Sequence, residues 1–488
     1  MNKLRPIMFV GTGSDVGKSI INAAFCRIFL QDGFKPAPFK AQNMSLNSYA
    51  TPDGLEIGRA QAVQAEACGL ESKVEMNPIL LKPTSEMNAQ IVLNGKPLGN
   101  KSASEYFLGS DRDALFAEVM KSYDKLFEHY NPLVIEGAGS ISEMNLWDKD
   151  IVNMRVALAS NAATYLIADI DRGGVFASVY GSIKLLPAEE RKLIKGIIIN
   201  KFRGDLALFE DGKKMLEELC GIPVVAIIPY YRNIFIDDED SVVLDKKIAK
   251  LKTKKLNIVV VLLKHMSNFT DFNVLERIPE VNLFYTHSAD DVISSDIVII
   301  PGSKNTIEDL IYLRKSGMAK AILQAHDSGK AVYGICGGFQ MMGDEIFDPQ
   351  HLESEVEVIK GLGLLPVKTI LTPEKTTEQC EFKFQNNTEV CKGYEIHMGE
   401  SMSDNKSPLA ILCNGKKDGY IKNSKIWGTY IHGIFDNISV IKEIVKVNGG
   451  DDVQDFDLND FKQAQYNKLA DLVRECSDMD YIYKTLKE

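Results

Sequence analysis

Ile7-Met-Phe-Val10 runs directly into Gly11-Thr12-Gly13-Ser14-Asp15-Val16-Gly17-Lys18-Ser19, and this stretch decides the fold. A short apolar run ends in a glycine-rich turn, and a helical pattern starts at once. Backbone N–H groups of such a loop wrap phosphate oxygens at a helix N-terminus. The lysine sets a point charge on the outer phosphates, and the serine hydroxyl is placed to ligate Mg²⁺. The strict pattern has a glycine where Thr12 stands, and Gly11 precedes it by one, so the loop is a variant. Its position after a strand pattern marks it as a nucleotide site.

The same unit recurs along the first half. Pro132-Leu-Val-Ile135 precedes Glu136-Gly-Ala-Gly139, and Tyr165-Leu-Ile-Ala168 precedes Asp169 to Gly174. Gly196-Ile-Ile-Ile199 precedes Asn200-Lys201, and Val224 to Ile228 ends at Pro229. Buried parallel strands read this way, and ligands bind where such strands end. The reading is an α/β domain. A phosphate loop needs a carboxylate on a neighbouring strand to help hold its metal, and Glu136 is the natural candidate. Asp169 and Asp171 end another run and are metal or substrate groups, or simply strand-end caps. Lys40, after Pro36 to Phe39, is a second candidate phosphate cation.

Residues 230 to 256 change character, with Asp237-Asp-Glu-Asp240 and then many lysines, and read as an exposed connector. A second α/β series begins at Asn257-Ile-Val-Val-Val-Leu-Leu263 and continues through Asp296 to Pro301 and Ala331 to Ile335. Glycines and β-formers then point to extra strands, and the end of the chain reads as terminal helices. The expected organisation is a nucleotide domain over 1–235, a linker over 236–256, a second domain over 257–445 and a helical tail over 446–488.

Ala331-Val-Tyr-Gly-Ile335 leads into Cys336-Gly337-Gly338-Phe-Gln340, and helix formers follow. A thiol on a tight strand-to-helix turn is exposed at the sheet's edge, where the helix N-terminus favours thiolate. Flanking glycines permit the turn and let substrate approach the backbone. The N–H of Gly337 would face a developing oxyanion. Cys336 is therefore the expected nucleophile. It needs a histidine to manage its proton. His432, in Gly428-Thr-Tyr-Ile-His432-Gly433, is preferred over His397 in Gly393-Tyr-Glu-Ile-His397.

Composition limits the alternatives. The 488 residues are 45% hydrophobic and 25% charged, with a net charge of −11, which argues against a nonspecific nucleic-acid binder or an anionic-membrane protein. No apolar run approaches the roughly 18 to 20 residues needed to span a bilayer. Ile7 to Val10 is too short for a signal-peptide core. The eight cysteines include no C-x-x-C pair, so neither a disulfide scaffold nor a zinc module is expected. The expectation is a cytoplasmic, reduced protein.

A phosphate-binding half and a cysteine-nucleophile half on one chain point to coupled amide synthesis. ATP converts a carboxylate into an acyl phosphate with a good leaving group. Glutamine hydrolysis through a cysteinyl thioester supplies free ammonia.

At this point the motifs become specific. Gly11 to Ser19, Gly58-Arg-Ala-Gln-Ala62, Met76 to Pro83, Glu136 to Ser140, Ala168 to Ala177 and Asn200 to Gly204 mark the first half. Pro301-Gly-Ser-Lys-Asn-Thr306, Gly334 to Gln340, Gly393 to His397 and Gly428 to Gly433 mark the second. Over essentially its whole length the chain resembles the cobyric acid synthase family of glutamine-hydrolysing amidotransferases. The resemblance implies a dethiobiotin-synthetase-like P-loop domain followed by a class I-like glutaminase. It implies ATP- and Mg²⁺-dependent amidation of the b, d, e and g carboxylates of adenosylcobyrinic acid a,c-diamide, giving adenosylcobyric acid. Cys336 and His432 would form and resolve the thioester, and Gly302 and Gly337 would supply oxyanion donors. Lys18, Ser19 and Glu136 would serve ATP and Mg²⁺, and Asn200 matches a position used for the nucleotide base. Gly58 to Ala62, Met76 to Lys82, and Asp169, Asp171 and Arg172 are the candidate corrinoid contacts. The partner implied is a small corrinoid rather than nucleic acid or membrane.

One departure stands out. The wider class I enzymes carry a carboxylate two residues after the catalytic histidine, and here that residue is Ile434. A Cys–His dyad results, and Glu395 and Asp436 are the candidates to orient His432. The nearest alternative, the cobyrinic acid a,c-diamide synthase family, has the same two domains but lacks the Asp169-Ile-Asp-Arg-Gly-Gly174 context. A nucleotide switch of the partitioning ATPase type would need no cysteine turn.

Overall fold

In the computed structural model the described residues are 3–84, 88–102, 105–106, 111–237, 251, 255–403 and 407–488. The first sheet runs Val224–Pro229, Ile194–Phe202, Ala163–Asp169, Ile7–Gly11, Leu133–Glu136, Ala37–Phe39, all parallel. Ile7–Gly11 is buried along its whole length, as a continuous apolar run in a sheet covered on both faces requires. The strand order reverses around it, so its C-terminal end opens at the topological switch point where α/β sheets hold ligands. The phosphate loop leaves the sheet there, and the helix Lys18–Gln31 begins behind a left-handed Gly17 at φ 100°. A β-carbon on Gly17 would lie 2.1 Å from Asn200 Nδ2, so no other residue fits.

An insertion between Ala37–Phe39 and Leu133–Glu136 was not legible as such. Gln42–Met44, Ile79–Pro83, Asn88–Leu93 and Lys96–Ser102 form a small sheet in that order. Its hairpin turns on Asn94 and Gly95, both with positive φ, which is the two-residue turn that an Asn-Gly pair favours. The sequence carries that signal in the pair Asn94-Gly95.

The second sheet runs Val281–Thr286, Leu256–Val261, Ile297–Ile300, Ala331–Ile335, Ile426–Thr429, Tyr420–Asn423, parallel except for its last pair. Fully buried Trp427 stacks on Tyr333 at 4.1 Å in its core. The expected extra strands are present, chiefly the long antiparallel pair Lys368–Phe384 and Cys391–Met402. The short strand Ile431–His432 pairs with Tyr394 and Glu395 of Cys391–Met402, in that antiparallel sheet rather than in the second one.

Two expectations about the chain's organisation need correcting. The boundary placed after residue 445 falls inside the helix Ile438–Val447. Beyond it, Leu458–Glu475 and Met479–Lys487 return to the first domain, where Tyr466, Leu469, Val473, Ile482 and Leu486 share one core with Phe25 and Phe29. Their apolar faces find a partner there, so the tail is part of the nucleotide domain's core. Of the expected linker, 238–250 and 252–254 lie outside the described residues. Asp237 is not exposed: it accepts from Arg59 Nη2 at 2.9 Å and Asn273 Nδ2 at 2.8 Å, which ties the two domains together. A carboxylate between an arginine and an amide donor is satisfied when buried, whereas composition alone suggested solvent.

Candidate active sites

A cavity of about 670 Å³ opens at the end of the first sheet, with Asp15, Lys18, Ser19, Lys40, Glu136 and Arg172 in its wall. Lys18 Nζ donates to the carbonyls of Gly13 and Gly139, each at 2.9 Å, so its charge is held over the loop. Ser19 Oγ donates to Glu136 Oε1 at 2.8 Å, and Lys40 Nζ reaches the same oxygen at 2.8 Å. Gln64 Nε2 donates to Glu136 Oε2 at 2.6 Å. The buried Glu136 carboxylate is therefore fully engaged, which a buried charge requires. Gly11 is needed for space, because a β-carbon there would lie 2.9 Å from Gly13 O. Thr12 N donates to Ile167 O at 3.0 Å and moors the loop to the sheet.

Asn200 does not reach into the cavity from a distance. Its amide donates to Val16 O at 2.8 Å and braces the loop from behind. Asp169 accepts from Lys201 Nζ at 2.9 Å, and Asp171 pairs with Arg203 at 2.7 Å. Arg172 meets Asp15 at 3.2 Å and is the member of this motif in the cavity wall. Sequence reasoning missed Gln64 and Lys201. Lys201 follows Asn200 at a strand end and was open to the same argument; Gln64 sits mid-helix and gave no signal.

The cysteine turn is as tight as its glycines foretell, but the thiol expected to be exposed at the sheet's edge is buried. Cys336 takes φ 52° and ψ −111° between the strand Ala331–Ile335 and the helix Gly337–Met342. A non-glycine residue there is strained, a feature that collects at functional sites. A β-carbon on Gly338 would lie 1.9 Å from Ile300 O, and one on Gly337 would lie 2.8 Å from Ser303 N. The turn thus nests against Gly302-Ser303, and a β-carbon on Gly302 would come within 3.4 Å of His432 Cε1. Cys336 Sγ donates to Ile396 O at 3.6 Å.

His432 is buried, and its Nδ1 meets Asp271 Oδ2 at 2.7 Å. Asp271 Oδ1 also accepts from Gly433 N at 3.1 Å. Burial alone would push the imidazole's pKa down, but Asp271 and Cys336 outweigh it and hold His432 up at about 10. Neither expected candidate takes the Nδ1 position. Glu395 pairs with Lys416 at 2.6 Å and lies 3.5 Å from His397, while Asp436 faces Lys462, Arg59 and Asp237. His397 stacks on Tyr430 at 3.7 Å and does not share the Asp271 contact. Asp271 was invisible to local reading because it comes 161 residues before His432. The one local clue is a carboxylate between Phe269 and Phe272, in the connection between the strands Leu256–Val261 and Val281–Thr286.

Beside Cys336 lies a cavity of about 40 Å³ whose wall includes Lys304, Gln340, Glu353 and Lys375, with Lys82 contributed by the first domain. Gln340 is fixed by donating to Met398 O at 3.0 Å and Tyr430 Oη at 3.1 Å.

Residues 7–241 match the CobQ/CobB/MinD/ParA nucleotide binding domain, and 257–440 match the CobB/CobQ-like glutamine amidotransferase domain. A cobyric acid synthase of Bacteroides fragilis is 57% identical over the full length of both chains. The chain belongs to the cobyric acid synthase family. Relatives of that name from Parabacteroides distasonis and Streptococcus sanguinis are 56% and 46% identical, each over 99% of both chains. As a member of the cobyric acid synthase family, the protein is a glutamine-dependent amidotransferase of cobalamin synthesis. Its fold is a P-loop nucleotide-binding domain followed by an α/β glutamine amidotransferase domain. Among the described residues no helix is long and apolar enough to cross a membrane.

Proposed function

We propose that the enzyme uses ATP and glutamine to amidate the b, d, e and g carboxylates of adenosylcobyrinic acid a,c-diamide, giving adenosylcobyric acid. The observation that carries this reading is the position of Lys82: a nucleotide-domain residue lines the cavity beside Cys336. Ammonia formed at the thiolate is thereby released at the boundary with the domain that activates the acceptor.

In the glutaminase half, Cys336 Sγ attacks the side-chain carbonyl carbon of glutamine. The oxyanion that forms is met by the N–H groups of Gly337 and the Gly302 turn. His432, cationic at neutral pH, gives its proton to the amide nitrogen, the C–N bond breaks, and ammonia leaves a γ-glutamyl thioester. Water then attacks the thioester, His432 takes a proton from it, and glutamate departs with the thiolate restored.

In the synthetase half, Lys18 and Lys40, both in the cavity wall, would meet nucleotide phosphates, and Asn200 would keep the loop in shape. Ser19 Oγ and Glu136 Oε1, 2.8 Å apart, are hard oxygen donors of the kind Mg²⁺ takes, so these residues fit the ion. When bound, Mg²⁺ would neutralise phosphate charge. The substrate carboxylate attacks the γ-phosphorus, ADP leaves, and ammonia then displaces phosphate from the acyl phosphate. Arg172, in the cavity wall, is the candidate for holding the incoming corrinoid carboxylate.

The test is mass spectrometry of the product from purified enzyme, Mg-ATP, the a,c-diamide and ¹⁵N-amide glutamine. Four labelled nitrogens per corrinoid are expected. No incorporation while ATP is still hydrolysed would mean that the acid is wrong.

A further inference from the structure

We propose that Asp271 is the third member of the glutaminase centre, a positioning residue that fixes the tautomer and orientation of His432 from a turn fastened to the nucleotide domain. The inference rests on Cys336 and His432 acting as described above. The contact is made with both carboxylate oxygens. Oδ2 faces His432 Nδ1 at 2.7 Å, and Oδ1 accepts from Gly433 N at 3.1 Å, so ring and backbone are held together. With Nδ1 engaged, Nε2 is the nitrogen left for Cys336. This is the task a third carboxylate performs for a catalytic histidine, and Ile434 cannot perform it.

The rest of the pocket leaves the imidazole little freedom. Tyr394 stacks on it at 5.4 Å between ring centroids, and Gly302 closes on its Cε1. Tyr394 is itself held by Asn268 Nδ2 at 3.3 Å. The charged groups bearing on the pair are Cys336, Asp436 and Arg59, the last through Tyr394.

Asp271 lies in the turn Phe269–Phe272, whose entrance is clasped by the first domain. Asn268, at φ 51°, accepts from Ser48 N at 3.1 Å through its side chain. In return Phe269 N donates to Asn47 Oδ1 at 3.1 Å. Both asparagines are buried. The segment Gln42 to Met44, just before this clasp, lines the nucleotide-side cavity. The carboxylate that completes the glutaminase is thus fixed by contacts that exist only while the two domains are docked.

Asp271→Asn keeps the shape and removes the charge. Glutamine hydrolysis is expected to lose roughly a hundredfold or more in kcat, with KM little changed. The alkaline limb of its pH–rate profile should move down, because His432 loses the carboxylate that holds its proton. Ammonia-dependent amidation, which needs no thiolate, reports that the variant is folded. A kcat within a few-fold of the parent with the alkaline limb unmoved would overturn the inference. A second test needs no change at Asp271: ¹⁵N-histidine NMR of the parent, with His432→Gln assigning the signal among the seven histidines. His432 should stay protonated on Nδ1 throughout the neutral range, and a neutral Nε2–H tautomer at pH 7 would overturn the assignment. If Cys336→Ala still hydrolyses glutamine, the dyad itself fails; if only Asp271→Asn is silent, only this inference does.

Discussion

Glu56 of the nucleotide domain and Lys375 of the glutaminase form a buried ion pair across the domain boundary, and Lys82 holds the other carboxylate oxygen at 2.7 Å. The two lysines hold Glu56 well below the usual carboxylate range despite its burial. Burial, with Lys82 and Lys304 nearby, brings Lys375 down to about 7. One carboxylate thus serves two cations, and the cavity beside Cys336 shares Lys82 and Lys375 in its wall.

The two sides of this pair should respond unequally to substitution. Glu56→Gln leaves buried Lys82 and Lys375 without the carboxylate they share and should destabilise the protein by about 3–5 kcal/mol, the usual loss when one side of a buried pair is removed. Lys375→Met leaves Glu56 with Lys82 and should cost clearly less. Thermal or denaturant unfolding of both variants decides it; equal losses, or the reverse order, would mean that the pair is not organised around Glu56.

Lys18→Ala should abolish amidation with glutamine and with ammonia alike, because activation of the carboxylate precedes either attack. Lys18 Nζ is anchored on Gly13 O and Gly139 O, above the loop that would receive the phosphates. Product formed from ammonia by this variant would show that the loop is not the activating site.

Much of this was readable because it is local. Ile7 to Ser19 and Ala331 to Gln340 each contain a strand, a tight turn and a helix start, and the turn's chemistry depends on adjacent residues. Glu136 was legible because a phosphate loop needs a carboxylate at the end of a neighbouring strand, and the motif Leu133 to Glu136 ends in one. Asp271, Gln64 and the Glu56–Lys82–Lys375 group could not be found this way. Each is defined by a partner distant in sequence, and nothing in a charged residue's neighbours announces that it will be buried. The terminal helices show the same divide. Tyr466, Leu469, Ala470 and Val473 have helical spacing, which gives the helix but not the domain it covers.

The His432 pair also sets a pH dependence of stability. Its folded pKa of about 10 lies above the ordinary 6.5. The stabilisation is therefore complete below about 6.5 and is lost as pH rises through about 10. The parent's advantage over His432→Gln in denaturant should be largest at the acid end of that window and shrink towards its alkaline end. An advantage that grows with pH would mean that His432 is held neutral.

The Asn47–Asn268 clasp predicts a selective defect. Asn47→Ala leaves the buried Phe269 N–H without its acceptor, a loss of about 1–3 kcal/mol. Glutamine-dependent turnover should fall while ammonia-dependent amidation persists. A double-mutant cycle with Asn268→Ala should show coupling, since both asparagines fasten one turn. Strict additivity would separate the two contacts.

The most direct test of the whole account is Cys336→Ala supplied in parallel with ¹⁵N-amide glutamine and with ¹⁵N-ammonium, the amidated corrinoid being read by mass spectrometry. No label from glutamine and continued incorporation from concentrated ammonium are expected, because only the thioester step needs the thiolate. Equal loss from both nitrogen sources, or label still arriving from glutamine, would contradict it.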